Sequence, residues 1–177
     1  MPLLAASLLA AGPKFTLQGN VDLVVASGDL AKMTSSASLT GYNVGGGLNI
    51  ETSPGFGFRL HANMLSIQGV PGSGLEGRKP KHFNMGVDVF KTVDKVTFFG
   101  GMGFVDWRQG TATLSSFTDN GGLNNSGKGK KLSGRIGVEY AFTPQIHGVV
   151  SFTQTEFNKV YQPAWLGFGV AYRFFSF

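Results

Sequence analysis

The 177-residue chain has no cysteine, three histidines and only 14% charged residues, against about 25% in ordinary soluble domains. Without cysteine there is no disulfide framework, thiolate metal site or cysteine nucleophile. The histidines, at 61, 82 and 147, show no metal-ligand spacing, so neither a metal nor a cofactor is expected. No apolar run approaches the ~20 residues a helix needs to cross a bilayer, which excludes a helical membrane protein. Low charge coexists with 16 Phe, 4 Tyr and 2 Trp, and chains rich in aromatics are not intrinsically disordered. What is abundant is glycine, 27 residues. The length suits one domain.

Residues 1–12 read MPLLAASLLAAG, matching the hydrophobic and cleavage regions of a secretory signal, although no basic segment precedes them. Residues 1–13 are therefore expected to be a signal remnant or a short N-terminal segment, and 14–177 the folded domain. A short buried helix is the competing reading.

From Lys14 onward apolar and polar residues alternate with period two, the mark of strands with two unlike faces. Phe15, Leu17, Val21 and Leu23 alternate with Thr16, Gln18, Asn20 and Asp22; Phe56, Phe58, Leu60 and Met64 with Gly57, Arg59, His61 and Asn63. Similar runs begin near Tyr42, Phe83, Val96, Leu132, Ile146 and Leu166, giving eight strands. The run from Val96 is weaker, because Phe99 falls in the polar phase. Thr52–Gly55, Val93–Asp94 and Thr143–Gln145 are tight hairpins with turn-forming residues. The remaining connections, near 27–38, 69–81, 108–131 and 157–163, are longer and polar. Short and long connections alternate strictly, as in an all-β, eight-stranded antiparallel up-and-down transmembrane barrel with short turns at one end and long loops at the other.

The solvent follows from which phase points inward. The polar phase holds Asp22, Glu51, Arg59, His61, Asp88, Arg135, Glu139, His147 and Arg173, interspersed with glycines. Eight strands leave an interior just wide enough for side chains, too narrow for the bulky apolar phase. With the apolar phase facing lipid, ions and glycines share the lumen, small opposite large. A turn centred on Ser53 would set Arg59 across from Gly47 and His61 across from Gly45. Aromatics gather at strand ends: Phe56, Phe58, Phe98, Tyr140, Phe142, Tyr172 and Phe174 toward the short turns, and Tyr42, Phe83, Phe104, Trp107, Tyr161 and Trp165 toward the long loops. Two such belts mark the two interfaces of a membrane barrel.

On these features residues 14–177 resemble the small eight-stranded outer-membrane barrels typified by the OmpA membrane domain, OmpX, OmpW and the opacity proteins. The last strand, LGFGVAYRFFSF, is similar to the aromatic C-terminal signal read by the outer-membrane assembly machinery, through Tyr172, Phe174 and Phe177. Phe177 falls in the opposite phase to the other two; either a bulge near Phe175 resets it, or the signal is Tyr172-x-Phe174. The resemblance implies a bacterial outer-membrane location, with both termini periplasmic and four loops outside. It also implies a lumen closed by ion pairs.

The positive excess of +5 lies in the loops. Arg78, Lys79 and Lys81 are placed in the second, and Arg108, Lys128, Lys130 and Lys131 in or beside the third, where they would meet lipopolysaccharide phosphates. Gly72-Ser-Gly-Leu-Glu-Gly77 matches a dinucleotide fingerprint by letter, but a proline and a strand follow where the mechanism needs a helix. His147, Ser151 and Glu139 share a phase, yet a lumen-facing trio is out of reach of an acyl chain. The expected role is structural or interactive, without catalysis or nucleic-acid binding. Its partners would be outer-membrane lipid and lipopolysaccharide, the assembly machinery and a protein partner for the loops. The alternatives are a narrow channel for small or apolar solutes and, behind it, a lipid A-modifying enzyme.

Overall fold

A computed structural model describes residues 12–27, 39–67, 81–108, 129–155 and 163–177. The strands are β1 (Lys14–Ser27), β2 (Leu39–Ser53), β3 (Phe56–Ile67), β4 (Lys81–Val93), β5 (Val96–Arg108), β6 (Gly129–Ala141), β7 (Ile146–Thr155) and β8 (Pro163–Ser176). Each pairs antiparallel with its sequence neighbour, and β1 pairs with β8 to close the barrel. At 10 to 15 residues, every strand can cross a bilayer when tilted, which takes about 9–11.

The alternation places apolar side chains outside. Phe58, Val138 and Phe168 are 40%, 37% and 45% exposed, whereas Arg59 and Arg135 are 2% and 9%. A protein dissolved in water would expose no such continuous apolar wall.

Three tight connections gather at one end. Pro54–Gly55 and Asp94–Lys95 are two-residue turns, each with a residue in the left-handed region, Gly55 at φ 68° and Asp94 at φ 53°. Glycine adopts this freely and aspartate tolerates it. In the third, the Thr143 hydroxyl accepts hydrogen bonds from the Gln145 and Ile146 amides, 3.2 and 2.9 Å.

The β2–β3 register differs from the sequence expectation. Ser53 pairs with Phe56, but the next pair is Glu51 with Gly57, so Thr52 is an extra residue in β2. A two-residue turn alone would set inward positions opposite outward ones, since a one-residue slip exchanges the faces; the bulge restores the phase. Asn49 therefore stands opposite Arg59, Gly47 opposite His61 and Gly45 opposite Asn63. Gly47 still serves Arg59 on the diagonal, where an added Cβ would lie 3.2 Å from Arg59 Cγ.

A second bulge settles the phase of the C-terminus. Gln18 pairs with Arg173 but Leu17 with Phe175, leaving Phe174 as the extra residue. Phe174, Phe175 and Phe177 are all exposed. The Phe177 ring stacks on Phe15 at 5.7 Å, and Ser176 Oγ lies 2.8 Å from Thr16 Oγ1.

Two further expectations are corrected. Trp165, assigned to the loop-end belt, is 4% exposed and inside. Leu166 and Phe168 hold the outward phase of β8, so period two turns Trp165 inward with Gly167 and Gly169. Lys81, assigned to the second loop, is the first residue of β4, paired with Ser66 and Arg108; the ladder runs one pair beyond the last apolar residue.

Candidate functional site

The barrel interior holds most of the chain's chemistry, in two parts. Toward the loop end it is largely uncharged: Val24, Leu65, Val105 and Trp165 are at most 4% exposed, and the last three pair with buried Asn43, Asn84 and Thr153. From mid-barrel to the turn end it is ionic, around a small apolar cluster of Phe90, Phe99, Val149 and Ala171.

Glu139 anchors the ionic part from β6. Its carboxylate meets Arg59 Nη1 from β3 at 2.6 Å and Arg173 Nη2 from β8 at 3.4 Å. Arg59 Nε donates to Asn49 Oδ1 at 2.6 Å, and Asn49 Nδ2 donates to Gln18 Oε1 at 2.7 Å. This chain links β1, β2, β3, β6 and β8 across the lumen. Asp88 on β4 anchors a second group, with His61 Nδ1 at 3.3 Å and Arg135 Nη1 at 3.6 Å. Phe99 joins the two, because the Arg59 and Arg135 guanidiniums lie 5.0 and 4.8 Å from its ring centroid. The residue that spoiled the polar phase of β5 is thus a cation–π platform. Gly137 across the strand leaves it space, since an added Cβ there would overlap the ring.

Asp22 is held differently. Its Oδ2 accepts from Asn20 Nδ2 at 2.9 Å and Asn43 Nδ2 at 2.7 Å, and among the described residues no cation lies within ion-pair distance. Glu51 turns to its hairpin, where Oε1 accepts the Gly55 amide at 2.7 Å. His147 is buried with Nε2 3.4 Å from the Pro144 carbonyl. His147, Ser151 and Glu139 do share the lumen, but no triad is assembled. Four residues of extended β7 separate His147 from Ser151, about 13 Å, and Glu139 is engaged by two arginines. Sequence reasoning missed Phe90, Val24, Leu65 and Val105 as interior residues; in-phase position was the only signal for them.

On the outer wall, Phe56, Phe58, Phe98, Tyr140, Phe142, Tyr172 and Phe174 form the turn-end belt, with edge-to-face pairs such as Tyr140–Phe142 at 5.3 Å and Tyr172–Phe174 at 5.2 Å. Tyr42, Phe83 and Phe104 face outward toward the loop end. Tyr161 and the Trp107 side chain lie outside the described residues, as do Arg78, Lys79, Lys128 and residues 72–77.

The chain matches the family model for the outer membrane protein β-barrel domain over residues 1–174. It belongs to that family. The barrel therefore resides in the bacterial outer membrane, and its apolar wall faces lipid. Among solved structures, the barrel is similar to the attachment invasion locus protein Ail of Yersinia pestis, with a TM-score of 0.57 and 11% identity, covering 92% of this chain and 99% of that one. The N-terminal β-barrel domain of Pseudomonas aeruginosa OprF gives a TM-score of 0.52 at 9% identity, covering 89% and 97%. Neisserial surface protein A gives 0.50 at 17%, covering 90% and 97%. At these identities the likeness is one of fold. No curated protein matches the sequence.

At the loop end, the register of this outer-membrane barrel brings cationic positions together. Lys81 pairs with Arg108, Lys130 with Asp106, and Lys131 with Val105. Four cations and one acid thus sit on three adjacent strands.

Proposed function

We propose that this outer-membrane barrel is a sealed scaffold whose work is done at its surface, by its long loops and the cationic rim of β4–β6. The observation that carries this reading is the Arg59–Glu139 pair across the lumen, 2.6 Å apart with side chains 2% and 1% exposed. Charges so deeply buried are tolerable only when paired, because leaving one unpaired costs several kcal/mol. Opening a conductive path there would require unpairing them. The interior in-phase side chains Leu65, Val105 and Trp165 occupy the other end of the same passage.

The rim would take phosphate. Lys81 begins β4, Arg108 ends β5 and Lys130 is the second residue of β6, at the level where lipopolysaccharide head groups would lie, while Lys131 pairs with interior Val105 beside them; arginine and lysine form charge-assisted hydrogen bonds to phosphate oxygens. Arg78, Lys79 and Lys128 add sequence-adjacent charge. A protein partner for the loops and the assembly machinery for Tyr172, Phe174 and Phe177 complete the proposed contacts.

Planar-bilayer recording of the purified protein tests the seal. The expected result is no steady conductance; reproducible steady steps would replace this reading with a narrow channel. Mass spectra of lipid A from cells with and without the protein are expected to be identical, and a new acylation state would make it an enzyme.

A further inference from the structure

The outer wall is not uniformly bulky. Gly100 on β5 and Gly134 on β6 both hold outward positions and are diagonal neighbours, since Gly100 pairs with Ile136 and Met102 with Gly134. An added Cβ at Gly134 would meet nothing within 4 Å. The result is a depression of about 420 Å³ lined by Gly100, Met102, Gly134, Ile136, Phe152 and Gln154. A second, of about 390 Å³, adjoins it beyond Ile136, between Phe98, Val138 and Val150. Together they form an apolar groove running down β5–β7, with the Gln154 side chain at its loop-end mouth.

The same two strands lead from the groove into the cationic rim. Lys130 is four residues above Gly134 on β6, about 13 Å along an extended strand, and Val138 is as far below. The bilayer core is about 30 Å thick, so one leaflet is about 15 Å. Because barrel strands tilt by about 35–45°, each such run descends about 10 Å, so the groove lies within one leaflet, below Lys130, Arg108 and Lys81. The wall thus carries cationic strand ends above and an apolar slot below.

We propose that β5–β7 holds one outer-leaflet lipid A molecule as a defined ligand. One acyl chain lies in the Gly100–Gly134 groove and a phosphate at the rim around Arg108 and Lys130. This rests on reading the rim as a phosphate contact and adds the chain that a charge contact alone does not need. Lipid tails are as apolar as the wall, so selection among them comes from packing rather than hydrophobic transfer. A dent between Met102, Ile136 and Phe152 supplies that packing on three sides.

Native mass spectrometry of the full chain in neutral detergent, titrated with bisphosphorylated or dephosphorylated lipid A, tests it. The wild type is expected to retain one molecule of either form, the phosphorylated one more tightly. Gly134→Phe and Gly100→Leu fill the groove and should weaken both forms about tenfold. Arg108→Ser with Lys130→Ser should weaken only the phosphorylated form. Heat-modified gel migration checks folding, and two groove variants guard against one misfolding. Groove variants that bind like wild type overturn the proposal, with the rim reading intact if the rim variant still weakens binding and lost if it does not. A dimer mass abolished by Gly134→Phe, with lipid retention unchanged, would assign the groove to a second copy and overturn it as well.

Discussion

The two halves of the lumen are lined by different chemistry. Near the turns, Arg59, Glu139, Arg173, Asp88 and Arg135 interlock by charge, with His61 beside Asp88. Near the loops, Val24, Leu65, Val105 and Trp165 are buried beside the neutral side chains of Asn43, Asn84 and Thr153. Barrel closure decides which strands face one another across the lumen, and the ionic network then demands particular side chains there, because each buried arginine needs a carboxylate. An apolar tier needs only filled volume, since cores accept hydrophobic exchange if volume is kept. Charge pairing and neutral filling are thus separated along one axis.

Substitutions can break that comparison. Glu139→Ala leaves buried Arg59 and half-buried Arg173 without their shared partner, and should cost about 3–5 kcal/mol of unfolding free energy, measured by urea titration in lipid vesicles. Trp165→Ala should come next, at about 3 kcal/mol, the lower part of the range for large aromatic truncations, because water at the mouth can enter the space. Trp165→Leu should recover much of that loss, whereas Glu139→Leu should recover little of its own; equal recovery at both sites would erase the distinction. Phe99→Leu keeps apolar volume but removes the ring beneath two guanidiniums, for a loss of about 1–2 kcal/mol. Ile136→Ala on the lipid face should change stability by less than about 1 kcal/mol, because lipid tails replace the lost contacts. A loss as large as that of Trp165→Ala would mean that the wall is packed against something other than lipid.

Much of this was legible in the sequence, and the reason is geometric. Period-two alternation states strand number and face without tertiary information, so Asp22, Arg59, Asp88, Arg135 and Glu139 could be placed inside before any pairing was known. Their partners could not. Arg59 reaches Glu139 across the lumen from β3 to β6, a juxtaposition set by barrel closure rather than by any spacing along the chain. The Arg59 register was misread because a single residue, Thr52, is extruded, and nothing in Thr-Ser-Pro-Gly distinguishes a four-residue turn from a two-residue turn with a bulge. Trp165 was misplaced because residue type, an aromatic near a strand end, was weighed above phase. Phe99 shows the converse: phase placed it inside correctly, and only the structure shows why a phenyl ring belongs among ions.

The β1–β8 seam carries a consequence for assembly. Thr16 and Ser176 meet although 160 positions separate them, whereas every other ladder joins strands adjacent in the chain. Until β8 arrives, β1 presents an open row of amides and carbonyls that any passing strand could claim. Such distant pairings also form slowly. Closure of this seam is therefore the step at which the sheet is most open to mispairing, and it ends only when β8 meets β1.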